Sequence, residues 1–161
     1  MANITYDEAI EAFEYRNGEL FWKIKPAMRV QIGDKAGFFD GRYLRVRRKD
    51  KSHLVHRIVF LMHYKHLPDE IDHINGDKLD NRIENLRKAT RSQNQYNKSI
   101  MSNNTSGHRG VTWNNQKNKW AVRVFVAGKV HRLGFYDDLE IAGLVASEAR
   151  ASLHGEFART A

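Results

Sequence analysis

Hydrophobic and polar positions alternate in two separate blocks along this chain, with the polar stretch 99–107 between them. In the first block, Thr5 and Glu8 have capping-box spacing, which predicts a short helix carrying Ala9, Ile10 and Phe13 inward. Asn17-Gly18 reads as a turn. From Glu19 to Lys25, Leu20, Trp22 and Ile24 alternate with Phe21, Lys23 and Lys25, the period of a strand. Tyr43 to Arg48 alternates in the same way and predicts a basic strand. Val55, Ile58, Val59 and Met62 recur at helical spacing, and Pro68 ends the helix they predict. Glu70 to His73 predicts a short strand, and Asn75-Gly76 a tight turn. Leu79, Ile83 and Leu86 are expected as buried anchors around a polar loop, with a second strand from Leu86 to Thr90. Thr90 and Gln93 repeat the capping-box spacing and predict a helix with Asn94 on its first turns.

The second block has a simpler pattern. Gly110 to Trp113, Trp120 to Val126 and Val130 to Phe135 predict three strands, the last two joined at Ala127-Gly128-Lys129. Alternation in the middle strand puts Trp120, Val122, Val124 and Val126 on one face and Ala121, Arg123 and Phe125 on the other. Asp137 and Glu140 are spaced to cap a final helix carrying Leu139, Ala142, Leu144, Val145, Ala146, Ala149 and Leu153. The fold class is α+β, in two small domains. The first spans 1–98 with its core at about 53–98, the second spans 108–161, and 99–107 links them.

Charge narrows the range of partners. The 161 residues carry a formal net charge of +8. Residues 1–40 hold five Lys/Arg against seven Asp/Glu, a balance of −2, so the remaining 121 residues carry +10. Such a surplus favours a polyanion. There is no cysteine, which excludes disulfides and Cys-ligated structural zinc. The N-terminus has neither a basic nor an apolar leader region, and the apolar run from Ile58 to Met62 is too short to cross a bilayer. A soluble, intracellular (cytoplasmic) protein without membrane association is expected, and no obligate protein partner is inferred.

The candidate chemistry lies in Ile71-Asp72-His73-Ile74-Asn75-Gly76, with Asn81, Asn85 and Asn94 following closely. Mg²⁺ takes oxygen ligands and keeps several waters, so one carboxylate and one carboxamide suffice from the protein. A neutral imidazole beside such an ion can take a proton from an attacking water. Together these residues point to phosphodiester hydrolysis. Some residues admit two readings. Asn81 fits an Asx turn as well as a catalytic role, and His56-Arg57 fits either a helix anchor or a phosphate contact. Arg45, Arg47, Arg48 and Lys51 fit phosphate contacts or a solvated edge strand. Trp113 fits DNA stacking less well than core packing.

The first block resembles the HNH endonucleases, in particular those of phage genomes and homing elements. The resemblance rests on His56-Arg57, on Ile71 to Asp77, on Leu79 to Arg87 and on Gln93-Asn94 with Asn97. It implies a ββα-metal nuclease domain in which His73 is the general base and Asp72 a ligand of the divalent cation. Asn85, the middle letter of the motif, would hold the metal loop and orient His73. Asn94 stands where many relatives have histidine and would be the second protein ligand, which favours Mg²⁺ or Mn²⁺ over softer metals.

The segment from His108 to Ala158 resembles an AP2 DNA-binding domain, through Arg109-Gly110-Val111, Lys119-Trp120, Leu133-Gly134, Ala142 and His154 to Phe157. That resemblance implies a three-stranded sheet lying in the major groove of double-stranded DNA with a helix behind it. Arg109, Thr112, Asn114, Arg123 and Arg132 match the family's DNA-facing positions. The expected protein is a metal-dependent DNA endonuclease targeted by an AP2-like domain. The competing class is a DNA-binding regulator on an inactive nuclease fold, and a nuclease assay separates the two.

Overall fold

The computed structural model describes residues 4–98, 100 and 102–158. Of the linker expected at 99–107, residues 99 and 101 lie outside the described residues. The chain divides into two compact units, 1–90 and 91–161.

The first unit begins with helix α1 (Tyr6–Ala12). Its capping box forms as predicted, with Thr5 Oγ1 accepting from Glu8 N at 3.2 Å and the Glu8 carboxylate accepting from Thr5 N at 3.1 Å. Phe13 leaves the helix in extended conformation and opens strand β1 (Phe13–Arg16), where sequence alone expects a helical residue. The Asn17-Gly18 turn leads to β2 (Glu19–Trp22), which also pairs with β3 (Lys35–Ala36). A second sheet contains β4 (Phe38–Phe39), β5 (Leu44–Arg48) and β6 (Lys51–Leu54). Helix α2 (Val55–Tyr64) buries Val55, Ile58, Val59, Phe60 and Leu61 and stops at Lys65, whose left-handed backbone (φ 61°) closes its last turn onto Leu61 O. These residues form one core with Ala9, Phe13, Leu20, Trp22, Val46, Ile71 and Leu86.

Strands β7 (Glu70–His73) and β8 (Leu86–Ala89) form an antiparallel pair in which Asp72 faces Arg87 and His73 faces Leu86. The intervening loop departs from expectation at one anchor. Ile83 packs against the core and Leu86 is buried, but Leu79 is 47 % exposed, because the loop is held by polar bonds instead of apolar burial. Helix α3 (Arg91–Tyr96) follows. By contacts it groups with the residues after it.

Tyr96 explains that grouping. Its ring stacks on His154 at 3.9 Å, its hydroxyl accepts from Ala127 N at 2.8 Å, and its carbonyl accepts from Arg109 at 2.7 Å. The rest of the second unit is the antiparallel sheet of β9 (Val111–Asn114), β10 (Lys119–Val126) and β11 (Lys129–Tyr136) in the order β11-β10-β9, followed by helix α4 (Leu139–His154). Val111 and Val122 pack against Ala142 and Ala146 of α4. Two expectations need correction. The cap of α4 is Asp138, which accepts from Ile141 N, while Asp137 pairs with Lys119 at 2.9 Å. Trp113 is 44 % exposed and meets Trp120 edge-to-face at 5.0 Å, so it is not a core residue. Among the described residues no helix is long and apolar enough to cross a membrane.

Gly110 holds the start of this sheet. Its φ is +85°, and a Cβ there would lie 2.5 Å from the carbonyl oxygen of Arg123. Gly110→Ala should therefore cost roughly 2 kcal/mol or more in equilibrium unfolding. A change within about 0.5 kcal/mol would show that the backbone contact is not obligatory.

Candidate active site

The site is built on the end of β7 and on the loop that returns to β8. Asp72 and His73 are both buried. Successive strand residues project to opposite faces, and each side chain meets its own set of partners. Asp72 Oδ2 accepts from Arg87 Nε at 2.9 Å and Nη2 at 2.8 Å, across the strand pair. His73 lies against the ring of His56, 5.0 Å between centroids and edge-to-face, with Tyr43 at 6.4 Å.

The loop between the strands is closed by a dense set of polar bonds. Asn85 spans it, accepting from Asn75 N at 2.9 Å and donating to the Asp80 carbonyl at 2.8 Å. Asn75 donates to Asp80 Oδ2, and Asp80 in turn accepts twice from Arg82 at 2.8 Å. The Arg82 guanidinium holds the Asp80 carboxyl well below the usual range, at about 2. From outside the loop, the Tyr15 hydroxyl accepts from Ile83 N at 3.1 Å. Gly18 leaves so little room that a Cβ would stand 2.9 Å from Arg82 N. The β1–β2 hairpin therefore braces the loop directly.

This closure places Asn81, only 1 % exposed, with its Oδ1 3.0 Å from His73 Nε2. The contact engages Nε2, and the orientation of the carboxamide decides which ring nitrogen carries the proton. Among the described residues Asn81 Nδ2 is buried without a hydrogen-bond partner. Of the two readings open for Asn81, the geometry selects contact with the imidazole. Asn85, by contrast, stabilises the loop that presents Asn81.

Burial lowers the proton affinity of His73, while the Asn81 contact and the charges of Asp72, Asp77 and Asp80 act in the opposite direction. His56 is pushed down to about 3, mainly by burial and further by His73 and Arg57. Both imidazoles are thus neutral at pH 7. Arg57 donates to the carbonyl oxygens of Pro68 and Asp69, which is the anchoring role. Arg48 is ion-paired with Glu11 at 3.0 Å and with Glu8 at 3.5 Å. It is therefore a structural residue and not a phosphate contact. Arg45 is engaged by Asp40 and Ser52, whereas Arg47 lies over the exposed ring of Phe38.

His73, Asn81 and Asn85 thus share one polar unit, with Asp72 adjacent in the chain. Asn94 sits half-buried on α3, within the second compact unit. Among the described residues no group of three or more His, Cys, Asp or Glu side chains could hold a metal ion. The oxygen donors singled out here, one carboxylate and one carboxamide, suit a hard divalent cation that retains water. Of the positions matching DNA-facing sites, Thr112, Asn114, Arg123 and Arg132 belong to the face of the second sheet that α4 does not cover. Arg109 is instead bonded to the end of α3.

Residues 53–96 match the HNH endonuclease family. The chain is 37 % identical over 89 residues to Protein 3.8 of Escherichia phage T7, covering 55 % of this chain and 73 % of that protein. It is 35 % identical over 107 residues to an uncharacterized HNH endonuclease of Acanthamoeba polyphaga mimivirus, covering 65 % of this chain and 54 % of the relative. A second such protein of the same virus is 37 % identical over 93 residues, and only 23 % of its length is covered. No solved structure matches the chain. The chain belongs to the HNH endonuclease family.

The burial of His56 has a measurable consequence. Its folded pKa of about 3 lies below the ordinary value of 6.5, so the unfolded chain binds the extra proton between the two. Stability from this group is complete above about pH 6.5 and is lost as pH falls toward 3. Urea unfolding of His56→Phe between pH 6 and 4 should show a slope shallower by about 1 kcal/mol per pH unit than the parent. Parallel slopes would mean that this imidazole is protonated in the fold.

Proposed function

We propose that the chain hydrolyses DNA phosphodiester bonds with His73 as general base, Asp72 as a ligand of Mg²⁺ or Mn²⁺, and the C-terminal sheet as an AP2-like DNA-docking element. The observation that carries this reading is the buried contact between Asn81 and Nε2 of His73, 3.0 Å long; in the proposed arrangement Nε2 donates to the carboxamide oxygen and Nδ1 carries the lone pair. A base with a fixed tautomer is ready to take a proton when the substrate arrives, without first reorganising. Burial keeps the ring neutral at physiological pH.

In the proposed reaction, Nδ1 takes the proton of the water that attacks phosphorus, and the 3′-oxygen leaves. The imidazolium so formed is stabilised by the carboxylates of Asp72, Asp77 and Asp80, whose charges already favour protonation of His73. Asn85 maintains the loop, and Asn81 keeps the ring from turning. The cation, when bound, supplies charge stabilisation at the scissile phosphate. The donor set fits such an ion, because it is entirely oxygen and this cysteine-free chain offers no thiolate.

Support for DNA docking by the second unit comes from its architecture and charge. A three-stranded antiparallel sheet backed by one helix leaves a face carrying Arg123 and Arg132. Phosphate contacts by such residues make binding steeply salt-dependent.

His73→Ala should lower plasmid nicking in Mg²⁺ by at least about 100-fold, the contribution expected of a general base, with gel-shift affinity retained. Nicking at the parental rate would remove His73 from that role. Asn81→Asp keeps an acceptor beside Nε2 and should stay active, whereas Asn81→Leu should lose about tenfold or more. The ¹⁵N chemical shifts of His73 should report an Nε2–H tautomer in the parent and a mixture in Asn81→Leu. Equal activity and an unchanged tautomer in both variants would show that Asn81 only fills space. Substituting both Arg123 and Arg132 by alanine should raise the Kd for duplex DNA and flatten its dependence on salt.

A further inference from the structure

The open face of the second sheet is ordered in rows. Cross-strand partners in an antiparallel pair project to the same side, so the register defines which side chains stand together. Arg123 is opposite Arg132, forming a cationic row at the centre. On one side of it, Phe125 is opposite Val130. On the other side, Ala121 lies between Phe135 of β11 and Thr112 of β9. Phe125 is 57 % exposed and Phe135 42 %. Lys117 Nζ lies 4.0 Å from the centroid of the Phe135 ring, so Phe125 is the more open of the two.

The row order depends on a bulge. Between Val122 and Arg123 the register with β11 shifts, so that Val122 is opposite Gly134 and Arg123 is opposite Arg132, leaving Leu133 as the extra residue. Gly134 has φ +122°, a conformation that suits glycine. Without the extra residue, Phe135 and Arg132 would fall on opposite sides of the strand; with it, both stand on the open face.

We propose that this face reads thymine 5-methyl groups in the DNA major groove on both sides of a guanine contacted by the arginine row. The inference rests on the proposed docking of the face on duplex DNA and extends it to base choice. An arginine fork matches the O6 and N7 acceptors of guanine, and thymine is the base that presents a methyl group to apolar side chains in that groove. Rows two residues apart on a strand are separated by roughly 6.7 Å, close to two base-pair steps. The face therefore addresses guanine at its centre and thymines about two steps away on either side. Among the described residues Arg132 makes no hydrogen bond or ion pair, while Arg123 donates to Thr112 Oγ1 at 3.1 Å, which holds its guanidinium over the face. A stacking platform for unpaired bases would also use exposed rings, but the adjoining apolar partners Val130, Ala121 and Thr112 present methyl groups, which suit methyl contacts better than base stacking.

The test uses the full chain in EDTA, so that no cleavage occurs, and a pool of random 30-base-pair duplexes. Duplexes retained by the protein are sequenced and then resynthesised with uracil in place of thymine, which removes only the methyl groups. Each lost methyl contact is expected to weaken binding about fourfold, the effect of one buried methyl group, and retained sequences should carry guanine flanked by thymine. Phe125→Ser should bind thymine DNA more weakly and discriminate less between thymine and uracil. Equal affinity of the parent for both forms would overturn the methyl reading, while leaving docking intact if Arg123→Ala still weakens binding. Loss of all effect from Arg123→Ala, Arg132→Ala and Phe125→Ser would overturn docking itself. Tighter binding of the same sequences as single strands would overturn the inference in favour of base stacking.

Discussion

A buried imidazole has a defined chemistry only if one of its nitrogens is bonded to a partner of fixed polarity. In this protein that partner is the carboxamide of Asn81, and much of the first unit serves to keep it in place. Asn81 lies in a loop with little apolar anchoring, since Leu79 is largely exposed. Polar bonds substitute for burial: Asn85 closes the loop from within, and the β1–β2 hairpin supports it through Tyr15 and the cleared space at Gly18. Among the described residues the buried amide nitrogen of Asn81 has no hydrogen-bond partner.

The charge distribution acquires a physical meaning in the same unit. The acidic excess of residues 1–40 is partly spent inside the fold. Glu8 and Glu11 of α1 neutralise Arg48 and Lys49 around the β5–β6 hairpin, and Glu19 pairs with Lys35. Among the described residues Arg47 has no acidic partner, and it lies over Phe38. A count of basic residues therefore overstates the number available to a polyanion, and it is the ion-pair pattern that separates structural cations from accessible ones.

Local rules recovered much of the framework. The capping box at Thr5, the bounds of β7, a helix beginning after Thr90 and the two faces of β10 all follow from spacing within a few residues. The failures are non-local. Strand β6 reads Lys-Ser-His-Leu, without alternation, and exists through its pairing with β5. Trp113 was expected inside, but the packed cluster is filled by small residues of α4, and the indole is left at the margin. At the site, Asp72, His73 and Asn85 were legible as a motif. The burial of Asn81 was not, because between Asp80 and Arg82 it has the surroundings of a solvated loop. Its contact depends on closure across residues 73 to 85. The aromatic wall of Tyr43 and His56 was likewise invisible until distant segments met.

The bulge at Leu133 has a further implication for how such a surface changes over time. Because one additional residue sets the phase of β11, the outward positions can be exchanged one by one while the side packed against α4 is untouched. Base preference could then drift through point substitutions at no expense to folding. A deletion within the strand would instead swap its two sides in a single event, so recognition in this lineage would evolve by replacement of side chains and seldom by change of length.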